Sequence, residues 1–428
     1  MTPGMGLPPI LVEQALRLLP DVDALMPLRA FLVSTSRTLS TTEPYRTVGK
    51  RQVQPPDLRN LMPHAVAQVT RHLGALYEAA LDALEAEQRS DLPAAVDALL
   101  RAGEREQDVG RYTPARAWYD HALRLGEELR HRRPEMEALR RLGTLETVRG
   151  RFDEAARLHQ RGFALAEAEF DGPSAALACL GLGDVTREQA KWLGAESWYT
   201  RGLGYAEGDP LLTARIHLGL GQVAGERGQY DIAADRLRRA HTLFEQVDHA
   251  EGVVQSLNAT GRLETARERY DEAQAVFREA LARVRGGRWR DPRLEMSIRI
   301  NLCRLYQAWT RYPDAEDEVR RAEETAIVHN LTRDLARLYH IMGQVRGQQG
   351  DFTAFVFFEK ALELSRGAEP APRLEAEVYV AYGRFRRSSG DLEEARGYFE
   401  RAREILEDLG NGPMLAAVDA ELATLQTA

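Results

Sequence analysis

Apolar residues recur three and four positions apart along most of the chain, with polar residues filling the intervening faces. That spacing predicts amphipathic helices rather than strands, whose apolar positions would alternate. The stretch "LGTLETVRGRFDEAARLHQRGFAL", from Leu142 to Leu165, is typical. Its helical period runs to Arg149, breaks at Gly150 and resumes from Phe152, which predicts a helix, a tight turn and a second helix.

The same break returns at Gly110, Gly150, Ala190, Gly228, Glu268, Thr310, Gly350 and Gly390, at intervals of 40, 40, 38, 40, 42, 40 and 40 residues. Two residues after each stands Tyr112, Phe152, Trp192, Tyr230, Tyr270, Tyr312, Phe352 or Leu392. Seven before each stands Gly103, Gly143, Gly183, Gly221, Gly261, Cys303, Gly343 or Gly383. Five after seven of them comes an alanine: Ala115, Ala155, Ala195, Ala233, Ala273, Ala315 and Ala395. A fixed period of this length is the signature of stacked helical repeats. A glycine at the break can end a helix at positive φ. Small residues within each helix allow close approach of two axes, and the bulky residue two after the break is expected to fill the joint.

The order of small, turn, aromatic and alanine positions resembles that of tetratricopeptide repeats. The period is similar to the longer repeats of kinesin light chains and bacterial peptide-pheromone receptors. The resemblance implies an all-α fold, a right-handed α-solenoid of stacked helical hairpins. Eight repeats are expected over residues 93–411, with a C-terminal capping helix over 412–428 and an N-terminal helical region over 1–92 that includes the traces of a ninth unit near Tyr77, Ala80 and Leu81. Three departures predict local change. The third repeat has Ala190 and the sixth Cys303 and Thr310 in place of glycine. The seventh brings Ala354 one place early and sets Phe355 at the small position. Two extra residues in "ARVRGGRWRDP" predict a longer loop or bend.

Composition narrows the function classes. With 44% hydrophobic and 29% charged residues, the chain reads as folded. A formal net charge of -8 argues against nucleic-acid or anionic-membrane partners. Cys179 and Cys303 are too few for a disulfide framework. No segment has the length and apolarity of a membrane span, and no signal peptide is recognisable, so a cytoplasmic protein is expected.

Candidate chemistry is sparse. The ten histidines show no metal-ligand spacing. "GLGQVAG", Gly219 to Gly225, approaches a dinucleotide fingerprint but falls inside a predicted helix with no strand before it. "TVGKR" has Pro44 where a phosphate loop requires glycine. Asp153-Glu154 and Glu393-Glu394 sit in predicted first turns, where carboxylates favour the helix dipole. "RVRGGRWR" gathers Arg283, Arg285, Arg288 and Arg290 around Trp289, as an anion grip or as a solvated loop. No catalytic set and no cofactor site emerges, and no enzyme is expected.

In repeats of this family the first helices line the concave side. Offsets of minus three, plus one and plus four from the small position share one sector of each helix. They give Arg140; Asn258 and Arg262; Arg304 and Gln307; His340 and Gln344; and Arg384 and Arg387. Earlier repeats present Glu104, Gln107, Asp184 and Arg187. The groove is therefore expected to be acidic in front and basic behind, binding a protein or peptide with an acidic segment. The alternative is that these are ordinary solvent-facing side chains. At the level of function, a non-enzymatic interaction scaffold is expected, with a peptide- or ligand-sensing regulator as the second reading.

Overall fold

The computed structural model describes residues 92–426, apart from 109, 129–131, 287–290, 330 and 368. The expectations for residues 1–91 and for Arg288, Trp289 and Arg290 lie outside the described residues. Among the described residues there are helices and turns only. The fold is the expected all-α array. Its first seven helices are α1 (Leu92–Asp108), α2 (Tyr112–Glu128), α3 (Arg132–Arg149), α4 (Phe152–Ala168), α5 (Gly172–Glu188), α6 (Trp192–Tyr205) and α7 (Pro210–Glu226). Then come α8 (Tyr230–Gln246), α9 (Ala250–Ala266), α10 (Tyr270–Gly286), α11 (Pro292–Ala308) and α12 (Tyr312–Val328). The last five are α13 (Thr332–Gln348), α14 (Ala354–Ser365), α15 (Pro372–Ser388), α16 (Leu392–Asp408) and α17 (Gly412–Gln426).

The chain divides into two compact units, Met1–Leu145 and Glu146–Ala428. In the described part of the first, Trp118, Tyr119, Leu139 and Leu142 form a buried core. Arg141 ties α3 to α1 through Glu104 at 2.6 Å.

In the second unit each hairpin packs on the next, and each first helix also touches the first helix of the following repeat: α5 on α7, then α9, α11, α13 and α15 in turn. Comparable contacts are lacking between described second helices. Crowding of one helical layer and spreading of the other is what curvature requires, so the first helices form the concave wall. The curve returns on itself. Arg373, opening α15, donates from Nη1 to the Glu188 carbonyl at the end of α5 at 2.9 Å, across 185 residues. Arg333, opening α13, donates in the same way to the Val148 carbonyl.

All eight turn positions have positive φ, from 57° at Ala190 and Thr310 to 88° at Gly390. This is the conformation expected from their glycines, and Ala190, Glu268 and Thr310 adopt it with a side chain. Aspartates cap three first helices just before a proline: Asp171 bonds the Ser174 N–H, Asp209 that of Leu212, and Asp291 those of Arg293 and Leu294. Asp153-Glu154 and Glu393-Glu394 occupy first turns, as expected.

Which residue fills the joint differs from expectation. Tyr112 and Phe152 are buried, but Trp192, Tyr230, Tyr270 and Tyr312 are half-buried and Phe352 and Leu392 are exposed. The residue nine after the turn, or eight in the shortened seventh repeat, does the filling, because two helical turns carry it back over the small position of the first helix. A Cβ on Gly183 would lie 2.3 Å from the Tyr199 ring, and one on Gly261 2.5 Å from the Phe277 ring. Gly103 with Tyr119, Gly221 with Leu237, Gly343 with Phe358 and Gly383 with Phe399 repeat the arrangement. In the sixth repeat the bulkier Cys303 is matched by the smaller Val319, and both are buried in one cluster.

The seventh repeat is altered as expected, and the cause is now visible. A turn over Phe352 and Thr353 delays α14 until Ala354, which is fully buried in the alanine position, while Phe352 and Phe355 face solvent. The two-residue shortfall before Gly228 is absorbed by α6, 14 residues long where its neighbours have 17.

Candidate groove on the first helices

The groove of the second unit is built from the exposed sector of α5, α7, α9, α11, α13 and α15. Polar side chains of neighbouring first helices meet along this sector, and two of the selected residues, Gln307 and Gln344, are in contact. Asn301 Nδ2 donates to Asn258 Oδ1 at 2.9 Å, and Asn258 Nδ2 to Ser297 Oγ at 3.2 Å. Gln307 Nε2 reaches Gln344 Oε1 and Gln348 Oε1, both at 3.4 Å. This amide ladder leaves carbonyl and N–H groups along the wall.

Most of the selected arginines meet carboxylates of their own chain. Arg262 pairs with Glu226 at 2.5 Å. Arg384 and Arg387 both bind Glu421 of α17, the first at 2.6 Å. Arg140 lies in the first unit and pairs with Glu137. The basic rear of the groove is thus largely neutralised by Glu226 and Glu421. Neither could be assigned from the spacing within single repeats, since each lies on a different helix from its arginine.

Arg304 is the exception. It has no hydrogen-bond or ion-pair partner among the described residues, and solvent reaches it. Yet crowding by the surrounding helices lowers its pKa; Glu377 opposes this, while Arg337 and Arg262 add to it. A side chain that is both wetted and crowded stands on the wall of a concavity. Guanidinium remains protonated throughout the working range, so Arg304 is a crowded cation with no direct ion pair among the described residues, Glu377 acting on it only at longer range while paired with Arg373.

His340 is buried, and its Nε2 has no hydrogen-bond partner. Burial pushes its pKa down to about 4, against the pull of Glu377 and with the push of Arg304. The imidazole is therefore neutral at pH 7 and faces the same electrostatic neighbourhood as Arg304.

Across the concavity Glu188 is held below the usual carboxylate range: burial would raise it, but Arg187, Arg373, Arg337 and Arg262 win. Asp184 moves the other way, because burial outweighs Arg187 and the 2.7 Å bond from the Tyr199 hydroxyl. The groove is therefore mixed in charge, with Arg304, which has no ion-pair partner among the described residues, near the middle.

Arg337 and Glu377 were outside the expected set. Both lie six residues before the small position, on the same sector one helical turn earlier, as Ser297 does. Arg333 and Arg373, ten before it, continue the row. Extending the offsets toward the helix N-termini would have found them. "GLGQVAG" lies inside α7, where Gly219 and Gly221 admit Tyr199 and Leu237, so the dinucleotide reading is excluded there. Among the described residues no group of three or more His, Cys, Asp or Glu is placed to hold a metal ion. No described helix is long and apolar enough to cross a membrane.

The tetratricopeptide repeat model matches residues 212–285 and 334–408. No relative among curated proteins matches the chain. Among solved structures, a tetratricopeptide repeat protein from Parabacteroides merdae is 20% identical, covering 68% of this chain and 98% of its own, with a TM-score of 0.40. The apo form of the quorum sensor NprR from B. thuringiensis is 13% identical over 76% of this chain and 99% of its own, with a TM-score of 0.44. A Podospora anserina protein described as a kinesin light chain is 15% identical over 45% and 94%, with a TM-score of 0.36.

Proposed function

We propose, taking the chain as the tetratricopeptide-repeat protein that its sequence pattern and fold make it, that it is a non-enzymatic scaffold binding a partner peptide along the concave wall of its second unit. The observation that carries this reading is Arg304, a cation on that wall with no partner among the described residues and with water access. A carboxylate of the partner would give it a charge-assisted, bidentate bond. His340 Nε2, also unpartnered, and the Asn258–Asn301 and Gln307–Gln344 amides would take main-chain groups of an extended segment. The preferred ligand is thus a peptide with one acidic residue set among neutral ones, rather than a uniformly acidic tail, because Arg262, Arg384 and Arg387 already have carboxylates.

Capture from native lysate tests the reading, with wild type and Arg304→Glu as baits of equal helicity and melting temperature. The proposal expects a partner retained by wild type and lost by the variant, its bound segment carrying an acidic residue. The same partners on both baits would contradict it.

The contacts of Arg373 and Arg333 across 185 residues favour a second reading, a receptor whose ligand changes the closure of the superhelix. A change in radius of gyration on adding the captured segment distinguishes a receptor from a passive scaffold.

A further inference from the structure

A cavity of about 290 Å³ opens between α10, α11 and α12. Arg278 and Arg285 line it from α10, Arg299 and Leu302 from α11, and Glu318 and Arg321 from α12. It lies apart from the groove: Arg299 precedes Arg304 by five residues, which places it about 140° around the helix.

Its charges are unusual for the fold. Arg299 is 2% exposed and occupies a position that carries Leu99, Leu139, Cys179, Leu257, Tyr339 and Tyr379 in other repeats. Two others make polar contacts there: His217 of the fourth repeat faces Arg236 at 3.4 Å, and the Tyr339 hydroxyl donates to Glu323 Oε1 at 2.5 Å. Arg299 Nε donates to Glu295 Oε1 at 3.1 Å and Nη1 to Glu318 Oε2 at 2.5 Å. A buried ion pair at a site built for apolar side chains does not favour folding over the apolar alternative. Its presence points to a use other than stability.

The remaining groups suggest that use. Arg285 pairs with Glu295 at 2.7 Å, and Arg321 Nη1 with Glu318 Oε1 at 3.0 Å. Arg278 has no partner among the described residues. Four guanidinium groups against the two carboxylates Glu295 and Glu318 leave an excess of two positive charges. Leu302, 1% exposed, supplies an apolar floor.

We propose that this cavity is a binding site for a compact dianionic oxyanion, either a phosphate monoester or a small dicarboxylate. Arg278 and Arg321 would grip it at the mouth, and Arg299 would be held in place beneath it by Glu295 and Glu318. Arginine's planar fork suits both head groups, and two negative charges would balance the site.

Calorimetric titration of the full chain with inorganic phosphate, succinate and acetate, at one ionic strength set with sodium chloride, tests the site. Saturable binding of phosphate or succinate is expected, with acetate at least tenfold weaker. The tighter of the two dianions identifies the head group. Arg278→Ala and Arg321→Ala, both at exposed positions, should each weaken binding at least fivefold without lowering the melting temperature of the free chain. Arg304→Glu should leave this binding unchanged, so the outcome is separable from that of the groove. Failure of both dianions to saturate, or binding indifferent to both substitutions, would overturn the proposal.

Discussion

Arg373 and Glu188 meet across 185 residues, the guanidinium bonding both the main-chain carbonyl and the carboxylate of the glutamate. Neither contact is deeply buried, so replacement of Arg373 by alanine should cost under about 1 kcal/mol of global stability. Its effect should instead be local. Faster amide exchange is expected at the end of α5 and the start of α15, with a larger radius of gyration at low salt. Unchanged exchange at both ends would show that the superhelix is closed by other contacts. Because Glu188 has a depressed folded pKa, its contribution is present above the ordinary value of 4.5 and is lost as pH falls through the folded value. The closed form should therefore persist at pH 5–7 and open only in acid.

His340 predicts a second, higher pH window. Its pKa is about 4 in the folded chain against an ordinary 6.5. The unfolded chain takes up a proton first, so the contribution of His340 is complete above pH 6.5 and lost progressively between 6.5 and 4. Denaturant unfolding of wild type and His340→Gln across that range should show a flatter pH profile in the variant. Parallel profiles would place the imidazole in a more polar setting than its neighbours imply.

Close packing of the hairpins predicts coupled volumes. Gly261→Cys puts a side chain into the space of the Phe277 ring and should destabilise by about 1–3 kcal/mol. Adding Phe277→Val, which copies the Cys303 and Val319 pair of the next repeat, should recover part of that loss. A double-mutant cycle with no coupling would refute the pairing rule.

The turns make a prediction of opposite sign. Thr310 is β-branched and sits at φ 57°. The left-handed conformation costs such a residue roughly 1–2 kcal/mol, part of which is offset by glycine's larger unfolded-state entropy. Thr310→Gly should therefore stabilise the chain by about 1 kcal/mol in denaturant unfolding, and a loss of stability would contradict this account of the turn.

These cases mark how far the sequence is readable. Helices, turns and the close approach at Gly183 or Gly261 follow from spacing, because they depend on neighbours within one repeat. The filler of the joint, eight or nine residues beyond the turn, is legible in the same way. Tyr119, Tyr199, Phe277 and Phe399 stand in register, although the aromatics two after the turn are the more conspicuous in the sequence. Charge balance in the groove was not readable. Arg262 is answered by Glu226 from the previous repeat and Arg384 by Glu421 from α17, and single-helix geometry holds no information on either. The same holds for Arg373, whose partner is set by the pitch of the superhelix.

The central claim is that Arg304 anchors an acidic residue of a peptide on the concave wall. The most direct measurement is fluorescence anisotropy of a synthetic peptide matching the captured segment, beside a copy with its Asp and Glu changed to Asn and Gln. The account predicts at least tenfold weaker binding of the amide copy to wild type, and no such difference for Arg304→Glu, which should bind both weakly. Equal affinity of the two peptides for wild type, or an undiminished preference in Arg304→Glu, would contradict it.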